Sequence, residues 1–186
     1  RLEGSEDPEV RRVTPTLITA IDQAVALCED TLAYVRQDES TPHTERVNLC
    51  TLVAEIADNA ALAYDGAFQV NNQINSNLDI DADRSQIHRA LSNITKNAME
   101  AGAKTATISA SSGPDGLNID ILDDGPGLPK RAQDNLFLPF RGSVRAGGTG
   151  LGLANARELM RNPGGDLTLL ATGETGSTFR ATLPLT

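Results

Sequence analysis

Residues 83–101, DRSQIHRALSNITKNAMEA, decide how the rest of this 186-residue chain is read. Ile87, Ala90, Leu91, Ile94 and Ala98 return at steps of three and four, so they line one face of a helix. Asp83, followed three residues later by Gln86, supplies the cap that starts it. The spacing predicts a helix from about Arg84 to Ala101. Directly downstream the period drops to two. Lys104–Ser111 and Leu117–Leu122 alternate as strands, and Gly113-Pro114-Asp115-Gly116 turns them into a hairpin. Strands that pair as hairpins, with helices between them, imply one mixed sheet covered on one face.

Toward the C-terminus, a long irregular stretch from Asp123 to Gly148 leads into a helix at about Gly150–Arg161. Two last strands close the chain around Gly173–Gly176. Toward the N-terminus lie extended segments near Leu78–Ile80 and Phe68–Ile74, then a helix through Leu52, Val53, Ile56 and Ala60 capped by Asn48, then a short strand at Val47. Gln37–Arg46 is polar, charged and interrupted by Pro42, which marks a linker. Ahead of it, residues 8–36 carry Ile18, Ile21, Val25, Cys28, Leu32 and Val35 at helical spacing, widened by Leu17, Ala24 and Thr31. Pro8 or Pro15 fits the first turn of that helix. Such a stripe requires a helical partner. The expected organisation is therefore a helical region over 1–36 built on that one long helix, a linker over 37–46 and an α/β domain over 47–186.

At 39% hydrophobic, the chain has enough apolar residues for one well-cored domain with a smaller appendage. A formal charge of -9 and 3% aromatic residues exclude sequence-blind nucleic-acid binding, which uses a basic face and stacking rings. Cys28 and Cys50 both fall inside apolar helical patterns, so buried, reduced thiols are expected rather than a disulfide or metal site, and with them a cytoplasmic setting. No apolar run approaches the ~18 residues of a membrane span, and no secretory signal opens the chain. No membrane contact is expected of this stretch, with anchoring of a parent protein left open.

Three features carry chemistry. Asn93 and Asn97 stand four apart on the 84–101 helix, beside its apolar stripe. Two solvated amides explain them as well as a Mg²⁺ site, in which Asn97 would give one oxygen and phosphates and water the rest. Ile121-Leu122-Asp123-Asp124-Gly125-Pro126-Gly127 runs a strand into an acidic glycine turn. It reads either as a turn chosen for its backbone angles or as a carboxylate placed to accept from an exocyclic amine. Gly147-Gly148-Thr149-Gly150-Leu151-Gly152-Leu153 opens a helix, where free amides and the helix dipole favour an anion. Neither the dinucleotide nor the Walker spacing fits it. Between the last two features, Lys130, Arg131, Arg141 and Arg145 face only Asp134, a local positive excess in an acidic protein. A stretch this long inside a compact domain reads as a lid.

The order of these features resembles the catalytic ATP-binding domain of sensor histidine kinases. Asn93-Ile94-Thr95-Lys96-Asn97-Ala98 is similar to their N box, Asp123-x-Gly125-x-Gly127 to the G1 box and Leu136-Phe137-Leu138-Pro139-Phe140 to the F box. Gly148-Thr149-Gly150-Leu151-Gly152-Leu153 resembles the G2 box, and Gly176-Ser177-Thr178-Phe179 the final strand. The likeness runs from Val47 to Thr186, and Leu32-Ala33-Tyr34-Val35-Arg36 looks like the end of the second helix of the dimerisation and phosphotransfer hairpin. It implies the Bergerat fold shared with gyrase and mismatch-repair ATPases: an α/β two-layer sandwich of helices on a mixed, largely antiparallel sheet, here preceded by one long helix. It also implies ATP and Mg²⁺ as cofactors. Asp123 would accept from the adenine amine, with Gly125 and Gly127 along the base and Ser177 or Thr178 assisting. Asn97 would hold Mg²⁺ with Asn93 nearby. Gly148, Thr149, Gly150, Leu151 and Gly152 would meet the phosphates, joined by Arg141 or Arg145, while Phe137 and Phe140 would anchor the lid.

The same resemblance implies a two-component kinase, a homodimer through the helical hairpin and a response-regulator receiver domain as partner. Three departures stand against the family pattern. Glu100 occupies a position that is often basic, the lid is fairly short, and no acceptor histidine has the family's surroundings. His43 falls in the linker and His88 on the N-box helix. The expectation is a fragment starting in or just after the hairpin turn, with the acceptor helix upstream. Two rivals remain. An ATP-hydrolysing machine would place a glutamate base where Asn93 stands. A non-catalytic pseudokinase module is kept open by Glu100.

Overall fold

The computed structural model describes residues 43–114, 116–140 and 150–184, together with Thr14, Ile21, Ala24 and Cys28. Strand β1 (Glu45–Asn48) leads into helix α1 (Leu49–Ala63), then strands β2 (Gln69–Asn72) and β3 (Asp79–Ala82) and helix α2 (Arg84–Glu100). The hairpin β4 (Thr105–Gly113) and β5 (Gly116–Asp123) follows, then a short helix α3 (Lys130–Gln133), helix α4 (Gly152–Arg161) and the hairpin β6 (Asp166–Gly173) and β7 (Gly176–Leu183).

Helix starts sit where the caps place them. Asn48 accepts from the Thr51 amide at 2.9 Å, and Asp83 from the Gln86 amide at 3.1 Å, each satisfying a donor the helix itself cannot. α1 ends where Asp65 and Gly66 take left-handed backbone angles, φ 48° and 72°. α2 buries Ile87, Ala90, Leu91, Ile94 and Ala98, as the periodicity predicts, and also Thr95, whose hydroxyl donates back to the Leu91 carbonyl at 2.8 Å.

Among the described residues the main sheet has five strands in the order β2-β4-β5-β7-β6. β2 runs parallel to β4 and every other pairing is antiparallel. This is the mixed, largely antiparallel sheet expected. The first strand differs: β1 pairs with β3 in a separate two-stranded antiparallel sheet. Alternation puts Ala106, Ile108, Ile119, Ile121, Phe179 and Ala181 in the core, none more than 1% exposed. The opposite face stays open and polar, with Arg180 gripping Asp120 through two hydrogen bonds of 2.7 Å. Helix α2 packs chiefly on α4. Their apolar faces join the inner sheet face in one cluster containing Leu91, Ile94, Leu153 and Leu159.

The helix read over 8–36 is described only at Thr14, Ile21, Ala24 and Cys28, all helical. Ile21 is 53% exposed, and Ala24 and Cys28 are exposed as well. Both cysteines are free, as expected, but Cys28 is not buried, and Cys50 is half-buried. An apolar stripe buries its thiol only against a partner. No helix among the described residues is long and apolar enough to cross a membrane.

Candidate functional site

The turn after β5 is built around two carboxylates with opposite tasks. Asp123, 6% exposed, accepts at Oδ1 from the Gly125 amide at 2.9 Å and the Ser177 amide at 3.2 Å. Its Oδ2 accepts from no described residue. Burial pushes this carboxyl above its ordinary value; the Gly125 and Ser177 amides oppose the shift and the nearby Asp124 charge adds to it. Asp124 points the other way and ties the turn to the start of β4. It accepts from the Lys104 amide at 2.7 Å, the Thr105 amide at 2.9 Å and the Thr105 hydroxyl at 3.0 Å. Desolvation works against its charge, but the bonds from Thr105 and Lys104 outweigh it and hold the carboxyl below its ordinary value.

Close backbone approach explains two glycines. Gly127 has φ 72°, and a Cβ there would stand 2.1 Å from the Gly173 carbonyl oxygen, in the β6–β7 turn. A Cβ on Gly176, φ 124°, would stand 1.8 Å from the Asp123 carbonyl oxygen. The G1 turn and the last hairpin are therefore pressed together backbone to backbone. On its other side the turn meets the end of α2: Gly125 is buried with Ala103 beside it, and the Ala103 amide bonds the Ala98 carbonyl at 3.1 Å.

Asn93 and Asn97 are half-buried on α2, and neither side-chain amide has a hydrogen-bond partner among the described residues. Glu100 lies 3.8 Å from Lys96, one turn back, as an exposed ion pair. Among the described residues no group of three or more His, Cys, Asp or Glu side chains is placed to hold a metal. A Mg²⁺ bound by one amide oxygen and phosphate oxygens does not require one.

Helix α4 begins at Gly152 after Gly150 in the left-handed region, φ 67°, and no side chain caps it. A helix start without a side-chain cap is a place where an anion is favoured. The Phe140 amide bonds the Gly150 carbonyl at 3.3 Å, which draws together the two ends of the segment between them. Phe137 is half-buried with the Arg157 guanidinium 4.6 Å above its ring, and Arg157 is itself held by Asp166 through bonds of 2.8 and 3.0 Å. Leu136, 3% exposed, fixes this stretch in the core. Phe140 does not anchor by burial, being 64% exposed with φ 63°. Lys130 and Arg131 are exposed on α3. Arg141, Arg145, Gly148 and Thr149 lie outside the described residues.

The final strand separates two candidates that spacing leaves equal. Ser177 is buried beside Asp123 on the inner face, whereas Thr178 pairs with exposed Leu122 on the outer face. The pleat sends successive side chains to opposite faces, so Thr178 lies on the outer face and Ser177 on the inner one. Arg157, Asp166 and Thr172 carry no signal in the sequence, since their contacts arise only from packing and strand pairing.

A family model described as "Histidine kinase-, DNA gyrase B-, and HSP90-like ATPase" matches residues 82–186. The chain belongs to this ATPase family. Sensor protein FixL of Bradyrhizobium diazoefficiens is 30% identical over 98% of this chain and 38% of its own length. Sensor-like histidine kinase SenX3 of Mycobacterium tuberculosis is 32% identical over 98% of this chain and 47% of its own. The chain thus spans less than half the length of these curated relatives. Full-length ShkA in complex with AMPPNP superposes with a TM-score of 0.73 at 24% identity, covering 100% of this chain and 41% of that one. The Asp123 turn lies within the residues that the family model matches.

Proposed function

We propose that this chain binds ATP with Mg²⁺ and is the catalytic domain of a sensor histidine kinase. The observation that carries the reading is the Asp123 carboxylate: buried, fixed at Oδ1 by two backbone amides, and with Oδ2 accepting from no described residue. An adenine amine is a donor matched to that oxygen, and glycines without side chains would let a flat ring approach the backbone of the turn. The uncapped start of α4 would take phosphate oxygens, with Gly150, Leu151 and Gly152 leading into it. Asn97 would give Mg²⁺ an amide oxygen, with Asn93 nearby. When bound, the ion neutralises charge that develops on the phosphoryl group.

The kinase reading extends from the domain to the longer protein. FixL and SenX3 carry sensor names, and the AMPPNP complex of ShkA supports an ATP-shaped ligand here. The γ-phosphate would pass to an imidazole on a hairpin helix outside this chain, the hairpin would form a homodimer, and a receiver domain would take the phosphate onward. Asn93 in place of a glutamate base disfavours hydrolysis as the purpose of the site. Incubating γ-labelled ATP with a chain extended upstream by about 40 residues, the length of a second hairpin helix, tests this. The expected label is stable to base and labile to acid. Unlabelled protein that still binds ATP would instead establish the pseudokinase reading.

A further inference from the structure

Thr172 lies outside every motif the sequence singles out, yet its hydroxyl stands at a junction. The Leu128 amide donates to Thr172 Oγ1 at 2.7 Å, and Thr172 Oγ1 lies 3.0 Å from Ser177 Oγ. Thr172 is the register partner of Ser177, and the Ser177 amide in turn donates to Asp123. One row thus runs from the end of the G1 turn through two hydroxyls to the Ser177 side chain, and the backbone amide of that same residue meets the buried carboxylate.

We propose that Thr172 is a positioning residue that sets the proton direction of Ser177 and, through it, the preference of the pocket for adenine. The inference rests on the ATP-binding reading above. A hydroxyl has one proton to give and can accept. Thr172 accepts from Leu128, so its own proton is used only if it is donated to Ser177 Oγ. In the opposite orientation that proton would have no acceptor among the described residues and would turn to solvent. Donation from Thr172 frees the Ser177 proton to point onward, and each bond in such a chain strengthens the next. The pocket edge then offers an acceptor at Asp123 beside a donor at Ser177. Adenine matches this with an amine donor next to a ring-nitrogen acceptor, directly or through one water. Guanine presents the reverse pattern, a carbonyl acceptor next to a ring N–H, and is disfavoured at both positions.

The test is calorimetric titration of ATP and GTP into the wild-type chain and into Thr172→Val, Thr172→Ser and Ser177→Ala. Thr172→Val keeps the shape and removes the hydroxyl, and should reduce the ATP-to-GTP affinity ratio about tenfold, mainly through weaker ATP binding. Thr172→Ser should stay within about twofold of wild type. Adding Thr172→Val to Ser177→Ala should cause no further loss. Should Thr172→Val fail to fold, Thr172→Ala carries the same expectation. A folded variant with lowered thermal stability but an unchanged ratio overturns the proposal and leaves Thr172 a structural tie. A wild-type chain that binds neither nucleotide overturns the ATP-binding reading first, and this inference with it.

Discussion

On the ATP-binding reading a single carboxylate, Asp123, meets the base, and its environment predicts how it titrates. Burial raises the Asp123 pKa above its ordinary value of 3.8, so between that value and the raised one the folded chain holds a proton that the unfolded chain has lost. Folding stability contributed by this group is therefore present at low pH and declines as pH rises through that window. Ligand binding runs the other way, because the adenine amine requires the ionised oxygen. ATP affinity measured from pH 7 downward should fall as Asp123 takes up its proton, and Asp123→Asn should flatten that profile. Asn97→Ala should remove the gain in ATP affinity that Mg²⁺ confers, and an equal gain in both proteins would point to another ligand. The sequence shows Asp123, Gly125 and Gly127 because an acidic glycine turn after a strand is a local feature. It leaves Ser177 and Thr178 equivalent, since only the register with β5 decides which one faces inward. Thr172 is hidden because the β6–β7 pairing shifts register between Leu169 and Ala171, and no spacing rule anticipates that irregularity.

Elements are joined at the site by contacts between α4, β6 and the F-box stretch. Asp166 is held well below the usual carboxylate range, first by its hydrogen bond to Arg157, with burial opposing. The stabilisation this gives is present above the ordinary aspartate value and is lost as pH falls below it. Arg157 also covers the Phe137 ring, so Arg157→Met should lower the unfolding free energy in urea by about 1–2 kcal/mol. Arg157→Lys should not restore it, because an ammonium cannot make the two-pronged contact and stack at once. Gly127→Ala faces both a left-handed backbone and the Gly173 carbonyl, and should cost about 2 kcal/mol or more, read from the same unfolding curves. The starts of the two capped helices are legible, because Asn48 and Asp83 act locally. The start of α4 falls at Gly152 rather than near Gly150, since Gly150 takes the left-handed angle that precedes the helix. The short α3, inside a stretch read as irregular, has too few turns to show a period.

At the scale of the molecule, the alternation and helical periods specify a sheet with helices on one face, and the topology agrees. What they do not specify is that β1 and β3 form their own sheet, because pairing partners distant in sequence leave no local mark. The stretch read as linker over 37–46 overlaps β1, whose first residues are Glu45 and Arg46, so we propose the domain boundary ahead of Glu45. A chain of residues 43–186 should then unfold in one cooperative transition seen alike by circular dichroism and fluorescence of a reporter, while two separated transitions would break the single-core description.

The account depends on one ligand meeting one pocket, and a calorimetric titration of ATP in the presence of Mg²⁺ measures that directly. Saturable one-to-one binding to the wild-type chain is predicted, weakened at least about tenfold by Asp123→Asn while the variant stays folded. Equal affinity in the two proteins, or no saturable binding by the wild type, would contradict it.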